Sequence, residues 1–254
     1  MDKSRSLPRN IRKELFHFKH FGNNEGFLYY PKIMEDIRPS LPENTPPYCN
    51  GNREKSRKLL NLFGCHLGDP YCSQTAVPGA SPQLASIFSS YGLLKSAADS
   101  PTPVFTQPDF LLLYCLCETS VFKILVGIAS LRHVIAHVDQ HTRTELCLPQ
   151  YALRPGAVSQ EKTPFSLLSA DHDPFLTCTP DLAYPLTSPA RHALLKLDPL
   201  LKNSMQWLNL KRGDLLIIDN RRSAHTCVPF TPFFRQDSPY LTHMFVNKPD
   251  PARH

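Results

Sequence analysis

Glycine is scarce and tryptophan nearly absent: the 254 residues hold ten glycines and one tryptophan. So little glycine argues against a glycine-rich nucleotide-binding loop. The eight cysteines include no C-x-x-C pair. Cys115 and Cys117 are two apart on an apolar run, so on a strand they would share one face, a spacing that does not suit zinc. No run of 18 apolar residues occurs, so no transmembrane helix is expected. The start, MDKSRSLPRNIRKELFHF, lacks an apolar core of the secretory type. The expectation is a cytoplasmic protein with reduced thiols and no membrane partner. No internal repeat or low-complexity tail is visible.

What the chain has in excess is proline, at 25 residues. Rigid turns at that density break a chain into short elements and disfavour a long helical bundle. At 41% hydrophobic and 20% charged, the composition is that of globular protein. The length suits a single domain over 1–254, with a basic lead-in over 1–21 and a core over about 22–246. Net charge is +6, but the basic residues are scattered rather than gathered into a stripe with interleaved aromatics. That argues against nucleic acid as a partner and equally suits an anionic small molecule. The oligomeric state is not readable.

Periodicity gives the elements. GFLYYPKI (26–33) reads as a strand and REKSRKLLNLF (53–63) as a helix, with a proline-rich, lid-like loop over 38–50 between them. The apolar runs 108–118 and 120–130 read as buried strands. SLRHVIAHVDQHTRTEL (130–146) has 3.6-periodic apolar residues and reads as one helix. SPARHALLKLDPLLKN (188–203) reads as a helix with Ser188 as N-cap and Pro189 in first position. MQWLNLKRGDLLIIDNRRSAHTCVPF (205–230) reads as a strand, a Lys-Arg-Gly-Asp turn, a buried strand and then polar residues, and LTHMFV (241–246) as a last strand. The expected class is mainly β with flanking helices.

The most informative stretch is GDLLIIDNRRSAHTCVPFTP (213–232). It resembles the closing motif of the taurine dioxygenase/clavaminate synthase-like iron(II)/2-oxoglutarate dioxygenases, a pattern close to G-D-L-L-x-x-D-N-x-R-x-x-H. PDFLLLYCL (108–116), HTRTEL (141–146) and RPGAV (154–158) support the likeness, which runs from about residue 22 to 246. The resemblance implies a double-stranded β-helix, or jelly roll. It also implies iron(II) held by an early His-x-Asp/Glu and a distal His, with an arginine pairing the far carboxylate of 2-oxoglutarate.

Carried over residue by residue, His225 takes the distal ligand position, and Arg222 matches the recurrent arginine before it. The early motif falls in SAADSPTPVFTQPDF (96–110). With one gap, Ala97 stands at the histidine and Asp99 at the carboxylate; without it, Ala98 and Ser100 do. The resemblance thus assigns iron to His225 and Asp99. The usual cosubstrate arginine, eighteen residues past the distal His, is His243 here, and the position two residues past it is Cys227. Arg235, ten residues past His225, is the replacement, with Arg222 as the second candidate. The implied function is oxygenation, by hydroxylation or desaturation, of a small amino-acid-like substrate. Two alternatives stay open: a degenerate member that binds a small ligand or a partner without oxidising it, and a site completed by only two ligands or by substrate.

Other groups have plainer readings. His137-Val138-Asp139 is a literal His-x-Asp, but on a helix residues i and i+2 diverge and cannot share a metal. His133, His137 and His141 form a solvated helix face. His172 reads as loop, His66 as a turn residue, and Trp207 as core.

Overall fold

The structure, a computed structural model, describes residues 7–37, 53–71, 93–95, 104–106, 108–116, 123–153, 164–178, 180, 183–227 and 241–249. Along the chain run α1 (Arg9–Phe21), β1 (Phe27–Tyr30), α2 (Ile33–Ile37), α3 (Arg53–Leu67), β2 (Asp69–Tyr71), β3 (Leu93–Lys95), β4 (Val104–Thr106), β5 (Phe110–Cys115) and β6 (Ile124–Ser130). Then come α4 (Leu131–Ile135), α5 (Gln140–Cys147), β7 (Tyr151–Leu153), β8 (Ala183–Pro185), α6 (Ser188–Asn203), β9 (Gln206–Leu210), β10 (Leu215–Asp219), β11 (Ser223–Cys227) and β12 (Leu241–Asn247). Among the described residues, no helix is long and apolar enough to cross a membrane.

Strands β5 and β10 are buried along their whole length, as unbroken apolar runs must be when both faces of a sheet are covered. They are central in a five-stranded antiparallel sheet of order β1-β10-β5-β12-β2. A three-stranded antiparallel sheet has the order β11-β6-β9. Alternation sorts the side chains into layers. Leu112, Tyr114, Leu215, Ile217, Met244 and Val246 face one way and pack with Ile11, Leu15 and Phe18 of α1 and Leu60, Phe63 and Leu67 of α3. Their neighbours Leu111, Leu113, Cys115, Leu216 and Ile218 face the other way, onto Ile124, Val126, Ile128 and Leu210 of the smaller sheet. Ala129 and Ala224, on the far face of that sheet, pack under Leu131, Val134, Leu146 and the α6 residues Ala193, Leu197 and Leu201. The layers therefore run helices, large sheet, small sheet, helices.

Helix α1 buries Ile11, Leu15 and Phe18 at helical spacing and ends at Gly22, whose φ of +65° suits only glycine easily. The Gly213-Asp214 turn has a local cause too. Gly213 sits at φ +91°. The Asp214 carboxylate accepts from the Lys32 N–H at 3.0 Å, the Lys211 N–H at 2.8 Å and the Tyr29 hydroxyl at 2.6 Å. This knot fixes where β10 begins.

Three expectations are corrected. The single helix over 130–146 is two, because Asp139 leaves the helix and caps a second one, accepting from Thr142 N at 2.8 Å and Thr142 Oγ1 at 2.7 Å. The cap of α6 is Thr187 rather than Ser188, its hydroxyl accepting from Ala190 N at 3.2 Å. Trp207 is 52% exposed rather than core. It sits on β9, an edge strand of the smaller sheet, and its ring covers Gly127, where an added Cβ would lie 3.1 Å away. The loop over 38–50 lies outside the described residues.

Candidate functional site

Strand β11 places His225. In the antiparallel ladder His225 stands opposite Ile128, so both side chains leave the sheet on one face. Ile128 belongs to the apolar layer between the sheets, and His225 therefore enters that layer, with 6% of its surface exposed. Burial pushes its pKa down to about 4, because an imidazolium would lose its hydration there. At neutral pH the ring is uncharged, the form that can offer a nitrogen lone pair to a metal.

The turn before β11 is built by the residues of the Asp-Asn motif. Asp219 Oδ1 accepts from the N–H groups of Arg221 and Arg222 at 3.3 and 3.2 Å. Asn220 donates its side-chain amide to Pro108 O at 2.9 Å, tying the turn to the start of β5. Ser223 donates to Asp219 O at 2.5 Å. Leu131 N–H donates to Arg222 O at 2.9 Å and Leu176 N–H to Arg221 O at 2.8 Å. His225 thus follows a turn held from three sides. Asp219 itself is buried, and burial raises its pKa, opposed by nearby Arg222 and Lys248.

Arg222 lies in the turn just before β11. Its guanidinium meets Asp173 Oδ2 at 2.8 Å and Asp219 Oδ2 at 3.5 Å. Arg222, the second cosubstrate candidate, is thus an ion-pair partner of Asp173 and Asp219. Asp173 also receives two bonds from Arg132, at 2.9 and 2.7 Å. Arg132 in turn donates to Phe21 O and Asn23 O at the end of α1. The two arginines, with Arg132 the larger cause, hold the Asp173 carboxyl below its ordinary pKa. Sequence reasoning missed this bridge. His172 beside it is exposed loop, as read, but no spacing announces that Asp173 joins α4 to β11 across 41 and 49 residues.

His243 stands opposite Leu113 on β12, so it faces the same layer as His225. Burial, assisted by Arg57, lowers its pKa, and an uncharged imidazole cannot replace a guanidinium as a bidentate carboxylate partner. Ser130, at the end of β6, pairs with Ser223 and likewise faces the layer between the sheets. Its hydroxyl is buried and has no hydrogen-bond partner among the described residues. Asp99 and Arg235, with Ala97, Ala98, Ser100 and the side chain of Cys227, lie outside the described residues. His133, His137 and His141 are exposed. His137 lies in the turn between α4 and α5 with Nδ1 2.8 Å from His133 O. Asp139 is spent on its cap and on Lys196 at 3.0 Å, so His137-Val138-Asp139 forms no ligand pair. His66 lies in the last turn of α3.

No family model matches the chain. Clavaminate synthase 2 of Streptomyces clavuligerus is 24% identical over 94% of this chain and 79% of that protein. L-asparagine oxygenase of Streptomyces coelicolor is 25% identical over 94% of this chain and 76% of that protein. Among solved structures, asparagine oxygenase in complex with Fe(II), 3-hydroxyasparagine and succinate superposes with a TM-score of 0.71 at 22% identity, over 94% of this chain and 80% of that one. The non-haem iron oxygenase OrfP with Fe and α-ketoglutaric acid gives 0.65 at 20% identity, over 97% and 82%. The chain is similar in sequence to the two Streptomyces proteins and shares the fold of the two solved oxygenases. The resemblance first read from 213–232 therefore extends over 94% of the chain.

The donor chemistry can be tested against the iron these relatives hold. His225 fits: it is buried, uncharged and placed between the sheets. The described residues do not complete a site, for among them no group of three or more His, Cys, Asp or Glu could hold a metal ion.

Proposed function

We propose that this chain is a non-haem iron(II)/2-oxoglutarate-dependent oxygenase of a small amino-acid-like substrate, acting by hydroxylation or desaturation. The observation that carries the reading is the placement of His225, buried and uncharged between two antiparallel sheets in a fold shared with iron oxygenases. On this reading the two sheets are the halves of a double-stranded β-helix formed by one domain. His225 and Asp99 hold iron(II), and Arg235 meets the far carboxylate of 2-oxoglutarate. Iron and the keto acid together would supply the oxidising power. The protein's own share is to hold a dry, apolar layer around His225 and to fix that ring through the turn at 219–223. The amino-acid class of substrate comes from the relatives, one an asparagine oxygenase and another solved with L-arginine.

One observation favours a second reading. Ala97 or Ala98 stands where the resemblance requires a histidine. A degenerate member would bind a small ligand or a partner without oxidising it. Anaerobic titration with iron(II) and 2-oxoglutarate separates the two. The oxygenase reading expects a visible metal-to-ligand charge-transfer band that His225→Ala abolishes. No band at millimolar reagents would sink it and leave the ligand-binding reading.

A further inference from the structure

Two polar groups on the small sheet face the inter-sheet layer near the 219–223 turn: His225 and Ser130. They lie diagonally across the β11–β6 ladder, since His225 pairs with Ile128 and Ser130 with Ser223. Diagonal neighbours on one face stand roughly 7–8 Å apart, a gap that a small acid can bridge. The third polar residue there, Ser223, is satisfied: its hydroxyl donates to Asp219 O at 2.5 Å and lies 3.4 Å from Gly26 O.

Ser130 is different. It occupies the N-cap position of α4 with extended backbone, yet its side chain makes no capping bond. A serine so placed normally accepts from the second or third helical N–H. Here the residue is 4% exposed and the hydroxyl has no partner among the described residues. A buried hydroxyl without a partner destabilises a fold, so the chain carries a hydrogen-bonding group that folding does not use.

We propose that Ser130 is a ligand-binding residue, whose hydroxyl donates to a carboxylate oxygen of the acid seated beside His225. The proposal rests on the oxygenase reading for the presence of that acid. A carboxylate could come from the keto acid or from the amino acid, and both would meet the hydroxyl in the same way.

The test measures two quantities on Ser130→Ala that respond differently to a structural role and a binding role. One is the melting temperature of the protein alone. The other is equilibrium binding of 2-oxoglutarate, and separately of L-asparagine and L-arginine, to the iron(II)-loaded protein under anaerobic conditions. The expected result is an unchanged or raised melting temperature, with affinity for one acid weakened about tenfold. Ser130→Thr, which keeps the hydroxyl, should restore most of that affinity. Weakened 2-oxoglutarate binding would name the keto acid as the partner; weakened amino-acid binding would name the substrate. Unchanged affinity for all three acids would overturn the proposal while leaving the oxygenase reading in place. So would a loss that comes with a lowered melting temperature and that Ser130→Thr does not repair. If the wild-type protein binds none of the acids, the oxygenase reading and this proposal fall together.

Discussion

Asp173 is the residue on which the charged surroundings of the site converge. It bonds Arg132 through both oxygens and Arg222 through one, so two elements far apart in sequence meet on one carboxylate. Its pKa is held below the ordinary value of 3.8, first by the bonds from Arg132. A carboxyl lowered in this way adds stability that is fully present above its unfolded pKa. That stability is lost as the pH falls through the folded value. Asp173→Asn is therefore expected to be less stable than wild type at pH 7, with the difference shrinking below about pH 4. Urea denaturation across pH 2–7 checks this, and a gap that does not narrow in acid would refute it. The carboxylate also screens two guanidiniums from each other, so its loss should loosen the turn before His225. None of this was legible from spacing, because Asp173 looks like any loop aspartate until the fold brings the arginines to it.

At the scale of elements, capping decided two boundaries that periodicity misplaced. The apolar residues of 131–146 repeat at 3.6, yet the chain stops at Ile135 and restarts at Gln140. Asp139 wins there because its carboxylate satisfies two Thr142 groups at once. The α6 cap moves by one residue for a similar reason. Thr187 Oγ1 both accepts from Ala190 N and donates to Gln150 Oε1 at 2.6 Å, while Ser188 is already helical. Thr187→Ala should cost about 1 kcal/mol, whereas Ser188→Ala should be nearly neutral. Thermal melting of the pair settles which residue is the cap. The strands were easier to read. Continuous burial of 110–115 and 215–219 follows from unbroken apolar sequence, and the GD turn and DN turn mark the ends of β10 in the chain itself.

For the whole molecule, stability lies in three apolar layers, and the middle one holds His225. Leu111 is fully buried in that layer. Leu111→Ala should cost about 2–5 kcal/mol, seen as a lower urea midpoint with an unchanged slope. Because the same layer surrounds His225, the variant should also weaken the charge-transfer band in proportion to the unfolded fraction. The sequence by itself determined the strand-rich class, most of the elements, and the candidate ligand His225. Those follow from local patterns: runs of apolar residues, turn chemistry, and a motif confined to about twenty positions. Only the tertiary structure decided which face each residue serves. It tied Arg222 to Asp173 while His225 entered the core, drew Trp207 to an exposed edge, and left the Ser130 hydroxyl buried without a partner among the described residues. The reason is physical: period-two alternation is written in the chain, but which side becomes the interior depends on the sheet and helices that pack against it.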